Sequence, residues 1–308
     1  MSRLLVPLII LCAALGVLLS IEQPGNDADL IIASEDEIKT LDPQRMSWLH
    51  DMRLAYALYE GLTRWNTNDF TIEPAIAQSW NSSEDGLLWR FYIDPQARWS
   101  NGTPVTAHDF VWSWQRLLLP DTAADYSDLL FPVQGAEEFW NWRAEKLASF
   151  SGGEQEAEEL MEETDRRFHE TVGIRALDHS TLELQLARPV PYLLDLLAFA
   201  PLLPVHRPSV EGWMVTDADL EDMKGPSGWH FMNPPPWSER RFIALSPQTG
   251  RLQVDHRWAR PGTLVSNGDY VLDRWRYRRD LRLTRNPESR RPLTGAAREI
   301  LVVSIPDP

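Results

Sequence analysis

Cysteine is nearly absent: Cys12 is the only one among 308 residues, so no disulfide and no cysteine-based metal site can form within the chain. Lysine is scarce too, present only at Lys39, Lys146 and Lys224. Arginine is therefore the default cation, and a local abundance of it says little by itself. No Gly-x-Ser-x-Gly elbow, glycine-rich phosphate loop or His-Glu-x-x-His helix occurs, which removes the usual motif support for acyl transfer, nucleotide chemistry and zinc hydrolysis. The seven histidines are scattered, with His108 at a helix start and His179 in a turn, where backbone hydrogen bonding fits better than metal ligation. Glu137 and Glu138 are adjacent, and adjacent helical positions do not face each other as an acid/base pair must. An enzymatic reading survives only as glycoside hydrolysis by carboxylates that no motif identifies.

The chain has 43% apolar residues, fourteen tryptophans and a net charge of −15. The first two exclude disorder. The charge argues against nucleic acid or an anionic membrane as the main partner and favours solubility. The length suffices for one large or two ordinary domains.

The main charge-free apolar run, Leu4 to Leu19, follows Arg3 and precedes Glu22, Asp27 and Asp29. That asymmetry is the pattern of an export segment, so residues 1–21 read as a signal peptide or an N-terminal membrane anchor. Leu18-Leu19-Ser20 lacks the small residue wanted before a cut, and roughly 18 apolar residues at about 1.5 Å each nearly cover the hydrocarbon thickness. Both outcomes stay open, and either places the rest of the chain in the periplasm or on the outer face of the cytoplasmic membrane. Cys12 lies inside the run after Ile10-Leu11, which does not suit a lipoprotein acceptor and leaves it as a small hydrophobe.

Beyond this segment strands, hairpins and helices mix. Leu30 to Ala33 reads as a buried strand, and Asp51 to Leu58 as a short helix ended by Gly61. Leu87 to Ile93 alternates after the turn Asp85-Gly86. Val172 to Leu177 and Thr181 to Leu186 predict one hairpin, Val271 to Tyr277 and Leu281 to Thr284 another. Gly152 to Glu170 carries eight acidic residues and predicts a solvated amphipathic helix, with cation binding as its alternative. Pro208 to Gly262, rich in proline and tryptophan, predicts surface loop, or a lid or partner surface. Nine arginines lie between Arg274 and Arg298; alternation of Arg274, Arg276 and Arg278 with Trp275 and Tyr277 predicts a strand with one wet face, an anionic partner being the alternative. The fold class is α/β (mixed α+β).

The segment from Ala97 to Leu117 joins three signals. A Trp-Ser-Asn-Gly turn leads through Thr103-Pro104-Val105 into Thr106, which predicts a helix cap with Asp109 returning the hydrogen bond. Phe110, Trp114 and Leu117 follow at helical spacing. This block resembles the signature segment of the extracellular solute-binding proteins of peptide ABC importers, the oligopeptide- and dipeptide-binding family. Further matches run in order: Leu41-Asp42-Pro43, Tyr59-Glu60-Gly61-Leu62-Thr63, Pro74-Ala75-Ile76-Ala77, Ser83-Glu84-Asp85-Gly86, Val172-Gly173-Ile174, Pro189-Val190-Pro191-Tyr192, and Ser266-Asn267-Gly268 with Tyr270. Asp269, and the residues after Asn286-Pro287, depart from the family pattern.

The resemblance implies a periplasmic-binding-protein-like first lobe with an accessory subdomain. Residues 29–59 with 206–303 would form the partial lobe, and 60–205 the accessory subdomain with the acidic helical insertion near 152–170. It implies capture of an extended oligopeptide between two lobes by backbone pairing, without cofactor, metal or catalysis, and work with importer membrane subunits. The backbone of Ser47, Trp48 and Leu49 matches the segment lining the cleft, Tyr126 an aromatic approaching the ligand, and Asn267 a segment near the cleft floor. Family members are much longer, so the match predicts the first lobe alone. Binding is then expected to be impaired, or to depend on a separate chain supplying the second lobe. The alternatives are a membrane-anchored interaction scaffold derived from that lobe and a secreted hydrolase.

Overall fold

The structure, a computed structural model, describes residues 28–34, 36–212, 224–225, 228–229, 243–246, 252–291 and 297–305. The apolar N-terminal run with Cys12, and much of Pro208 to Gly262, lie outside the described residues.

Six helices and fourteen strands follow one another among the described residues. The first part holds β1 (Leu30–Ser34), α1 (Leu49–Leu58), β2 (Thr63–Trp65), β3 (Ile72–Pro74), β4 (Ala77–Ser82) and β5 (Leu88–Ile93). The middle holds α2 (Ala107–Leu117), α3 (Ala136–Ser149), α4 (Glu154–Thr171), β6 (Ile174–Ala176), β7 (Thr181–Gln185), α5 (Leu193–Leu196) and α6 (Arg207–Glu211). The last part holds β8 (Lys224–Gly225), β9 (Gly228–Trp229), β10 (Ile243–Leu245), β11 (Leu252–Val254), β12 (Tyr270–Arg276), β13 (Asp280–Arg285) and β14 (Glu299–Ser304).

Period-two alternation builds the sheet β4-β5-β7-β6, which is antiparallel throughout. Phe91 and Ile93 on β5, and Leu182 and Leu184 on β7, point into the core while their neighbours face outward, as a half-solvated antiparallel sheet requires. The predicted hairpin between β6 and β7 turns on Asp178, whose Oδ1 accepts from both the amide and the hydroxyl of Ser180 at 2.7 Å; this local competitor for the backbone is what makes an aspartate a turn residue. Helix α2 packs on the sheet with Phe110, Trp114 and Leu117 fully buried. Its cap is as predicted: the Thr106 amide donates to the Asp109 carboxylate at 2.7 Å. Helix α4 is the predicted amphipathic helix, with Leu160, Met161, Thr164 and Phe168 inward.

A second sheet has the order β1-β14-β13-β12, with β1 parallel to β14 and the other pairs antiparallel. Two expectations are corrected here. Strand β1 forms, but Leu30, Ile31 and Ile32 are 44%, 49% and 41% exposed, because β1 is the sheet's edge. Helix α1 does not end on Gly61; it ends at Tyr59, which is extended (φ −130) and fully buried. Gly61 is needed for packing instead, since a Cβ there would stand 2.9 Å from the Leu197 carbonyl oxygen.

The arginines of β12 and β13 are engaged rather than simply wet. Arg274 and Arg276 both pair with Asp280, and Arg282 with Glu299. Others form an ionic seam between the second sheet and the β2-β3 and β4-β5 region. Arg290 bridges Glu60, at 2.7 Å, and Asp94. Arg64 also reaches Glu60, at 3.3 Å, and Arg291 reaches Asp269 at 3.1 Å.

His206 gives a pH prediction. It is buried beside α6, where its Nδ1 accepts from the Ser209 amide, and its ring meets Trp99 edge-on at 5.2 Å. Desolvation lowers its pKa from 6.5 to about 3. As pH falls from 6.5 toward 3 the unfolded chain gains a proton that the native state refuses, so stability is present above 6.5 and is lost through that window. Burial pushes Asp109 up to about 6, which acts in the opposite sense between about 4 and 6. His206→Asn keeps an acceptor for Ser209. Denaturant unfolding at a series of pH values should show a slope flatter by about one proton for this variant; parallel curves would refute the assignment.

Candidate functional site

The segment entering α1 is extended at Met46 (φ −79, ψ 125) and at Trp48 (φ −109, ψ 140). It is anchored from below: Met46 is fully buried, and Asp42 receives both terminal nitrogens of Arg116 at 3.0 and 2.5 Å. Gln44 accepts from the same guanidinium and donates to the Ser113 carbonyl of α2 at 2.5 Å. The upper side is free. Among the described residues the amides of Ser47 and Trp48 and the carbonyl of Ser47 make no hydrogen bond, the Trp48 carbonyl being taken by the Met52 amide at 3.1 Å. Exposed backbone groups in extended conformation on a rigid base are a ready partner for an extended chain.

Side chains frame this strip. The Ser47 hydroxyl donates to the Asp125 carboxylate, which brings residues 47–49 beside residues 125 and 126. Tyr126 is half-buried, edge-on to Phe199 with centroids 5.4 Å apart. Trp48 is 53% and Leu49 66% exposed; the Lys39 ammonium lies 3.7 Å from the Trp48 ring centre, and His50 stacks beside it. Asp51, buried under the helix start, is raised above the usual carboxylate range by desolvation, with the Lys39 amide at 3.1 Å pulling the other way.

Asn267 sits apart from this group. It is buried, and its side chain is spent on backbone: Oδ1 accepts from the Glu60 amide at 3.1 Å and Nδ2 donates to the Glu60 carbonyl at 3.0 Å. The structure thus brings Ser47, Trp48, Leu49 and Tyr126 into one neighbourhood and gives Asn267 to the joint between the end of α1 and β12. Sequence reading missed Asp125 and Lys39; their adjacency to Tyr126 and to the Leu41-Asp42-Pro43 landmark was the available signal. Among the described residues no group of three or more histidine, cysteine, aspartate or glutamate side chains is placed to hold a metal ion. No helix among them is long and apolar enough to cross a membrane.

The described residues thus form a mixed α/β fold with an extended, exposed segment entering α1. Residues 71–308 match the family model of the bacterial extracellular solute-binding proteins, family 5 Middle, which is most of the chain; the chain belongs to that family. It is 27% identical over 266 residues to the periplasmic oligopeptide-binding protein OppA of Salmonella typhimurium, covering 86% of this chain and 37% of the relative. It is 28% identical over 244 residues to the periplasmic murein peptide-binding protein MppA of Escherichia coli, covering 79% and 33%. The solved structure of Burkholderia pseudomallei OppA superposes with a TM-score of 0.64 at 26% identity, over 91% of this chain and 42% of that one. The chain therefore spans less than half the length of these relatives.

Proposed function

We propose that this chain is the substrate-binding component of a peptide ABC importer, exported to the periplasm or the outer face of the cytoplasmic membrane, and that it holds extended oligopeptides by backbone pairing along Ser47-Trp48-Leu49. The observation that carries this is the segment leading into α1, extended at Met46 and Trp48, in which the Ser47 and Trp48 amides and the Ser47 carbonyl make no hydrogen bond among the described residues, over the Asp42–Arg116–Gln44 contacts. The names of the relatives, periplasmic oligopeptide-binding and murein peptide-binding, support the ligand class. Tyr126 and Trp48 supply apolar contact beside the strip, and Asn267 keeps the floor in place. Residues 29–59 with 206–303 form the lobe in this reading and 60–205 its accessory subdomain. Polypeptide matching the remainder of the relatives supplies the opposite wall, from a separate chain where necessary.

One wall gives weak binding. A micromolar site is worth about −8 kcal/mol, and half its contacts about −4, which is millimolar; the cost of immobilising the ligand is not halved with the contacts. Titrating the chain with a mixture of di- to pentapeptides should move amide resonances of Ser47, Trp48, Leu49, Asp125 and Tyr126, saturating near millimolar concentration. Absence of any shift in that group would overturn the assignment of the strip.

A further inference from the structure

The side chains of Ser47 and Trp48 meet charges of opposite sign. Successive side chains of an extended segment leave on opposite faces. Here the Ser47 hydroxyl donates to the Asp125 carboxylate, while the Lys39 ammonium lies 3.7 Å from the centre of the Trp48 ring. The two charges come from different parts of the chain: Asp125 from the turn just before a short 3-10 segment, Lys39 from the stretch leading to Leu41. Both residues are exposed. Among the described residues neither forms an ion pair, whereas Arg290 and Arg64 are each engaged with two carboxylates.

We propose, resting on the reading of this strip as a peptide site, that the strip reads ligand charge by position: a basic side chain opposite Ser47, against Asp125, and an acidic one on the preceding ligand residue, opposite Trp48, against Lys39. The preferred peptide carries an acidic-basic pair in that order. Pairing geometry makes the assignment. The amide and the carbonyl of Ser47 are both unbonded, and in an antiparallel pair, the more stable arrangement per residue, these two groups exchange bonds with a single opposing residue. Directly opposed residues hold their side chains on one face, with Cβ atoms about 5 Å apart. The ligand residue held by Ser47 therefore aims its side chain at the face of Asp125. The residue before it falls opposite Trp48 and aims at the face of Lys39. The reverse order would set carboxylate against carboxylate and ammonium against ammonium, and like charges opposed across a pair destabilise it. Both charges being solvated, each contributes preference rather than much affinity.

The test titrates the full chain with acetyl-Ala-Glu-Lys-Ala-amide and acetyl-Ala-Lys-Glu-Ala-amide. Both peptides are neutral overall, so the net charge of −15 on the chain favours neither. Amide resonances of Ser47 to Leu49 should report a Kd about fivefold lower for the Glu-Lys order at low salt, with the difference fading in about 1 M salt, where the screening length is about 3 Å. Asp125→Asn, which keeps an acceptor for the Ser47 hydroxyl, and Lys39→Gln should each reduce the preference to about twofold, and together abolish it. Glu138→Gln removes an exposed charge on α3 and should leave the preference unchanged. Equal Kd values with shifts at Ser47 to Leu49, a preference for the Lys-Glu order, or a preference that survives in the double variant would overturn this inference while leaving the strip as a peptide site. No shift at the strip with either peptide would overturn both.

Discussion

Arg116→Met should lower the unfolding free energy by about 3–5 kcal/mol, because it leaves the Asp42 carboxylate buried without its cation. Both side chains are essentially inaccessible, at 0% and 1% exposure. Asp42 has little else to turn to: its Oδ1 also accepts from the Gln44 amide at 3.2 Å, as the cap of a short 3-10 turn. Gln44 loses a partner in the same step, since its Oε1 accepts from Arg116. The double variant Asp42→Asn/Arg116→Met should recover part of the loss, because the burial of an unpaired charge, rather than the worth of the pair, dominates the single variant. Denaturant unfolding of the four proteins in this cycle measures it. A single-variant cost under about 1 kcal/mol would place the pair with surface ion pairs instead. The pair ties the approach to Ser47 to α2, so the variant should also broaden the amide resonances of Ser47 to Leu49.

The second large effect is expected at Gly268. Its amide donates to the Leu58 carbonyl at 2.8 Å. A Cβ placed there would stand 2.5 Å from the Leu58 carbonyl carbon, 2.6 Å from the Tyr59 nitrogen and 2.7 Å from the Ala57 oxygen, all backbone. No side chain can swing aside, so Gly268→Ala must separate the chain from the end of α1. It then loses that hydrogen bond and strains the neighbouring Asn267 clamp on Glu60. Overpacking and the lost bond together should cost roughly 2–4 kcal/mol. Gly102→Ala is the control: φ is +84 but nothing lies within 4 Å, so only the backbone conformation is penalised, at about 1–2 kcal/mol. Equal losses from the two would mean that the approach at Gly268 is not tight.

Features fixed by neighbours in sequence were legible before folding was considered. The cap at Thr106 and Asp109, the hairpin on Asp178, the alternation of β5 and β7 and the amphipathic face of α4 each depend on residues within a turn or two of one another. The misreadings concern distance. Leu30 to Ala33 carries the composition of a covered strand, and nothing local says that the covering lies elsewhere. The usual cap rule points to Gly61 for the end of α1, whereas Tyr59 ends it by turning into the core. The contact of Ser47 with Asp125, 78 residues away, and that of Asn267 with Glu60, 207 residues away, have no periodicity to announce them. The alternation of Arg274 and Arg276 predicts a wet strand face without showing that both share Asp280 across the hairpin, and the acids of Arg290, Glu60 and Asp94, lie 230 and 196 residues away in loops that no local pattern links to it. The candidate strip is legible in the sequence only through the family resemblance. Its free backbone groups are a property of the folded chain and have no residue signature.

The seam at Glu60 differs in kind from the apolar core on either side of it. Arginines from two parts of the chain share a few carboxylates there, with side chains still partly wet, at 23% exposure for Arg290 and 38% for Arg291. Contacts of that sort weaken in salt and re-form in new geometry without uncovering hydrocarbon. Rising ionic strength should therefore loosen the contacts of Arg290 with Glu60 and Asp94 while leaving the packed joint of Gly268 and Asn267 with the end of α1 intact.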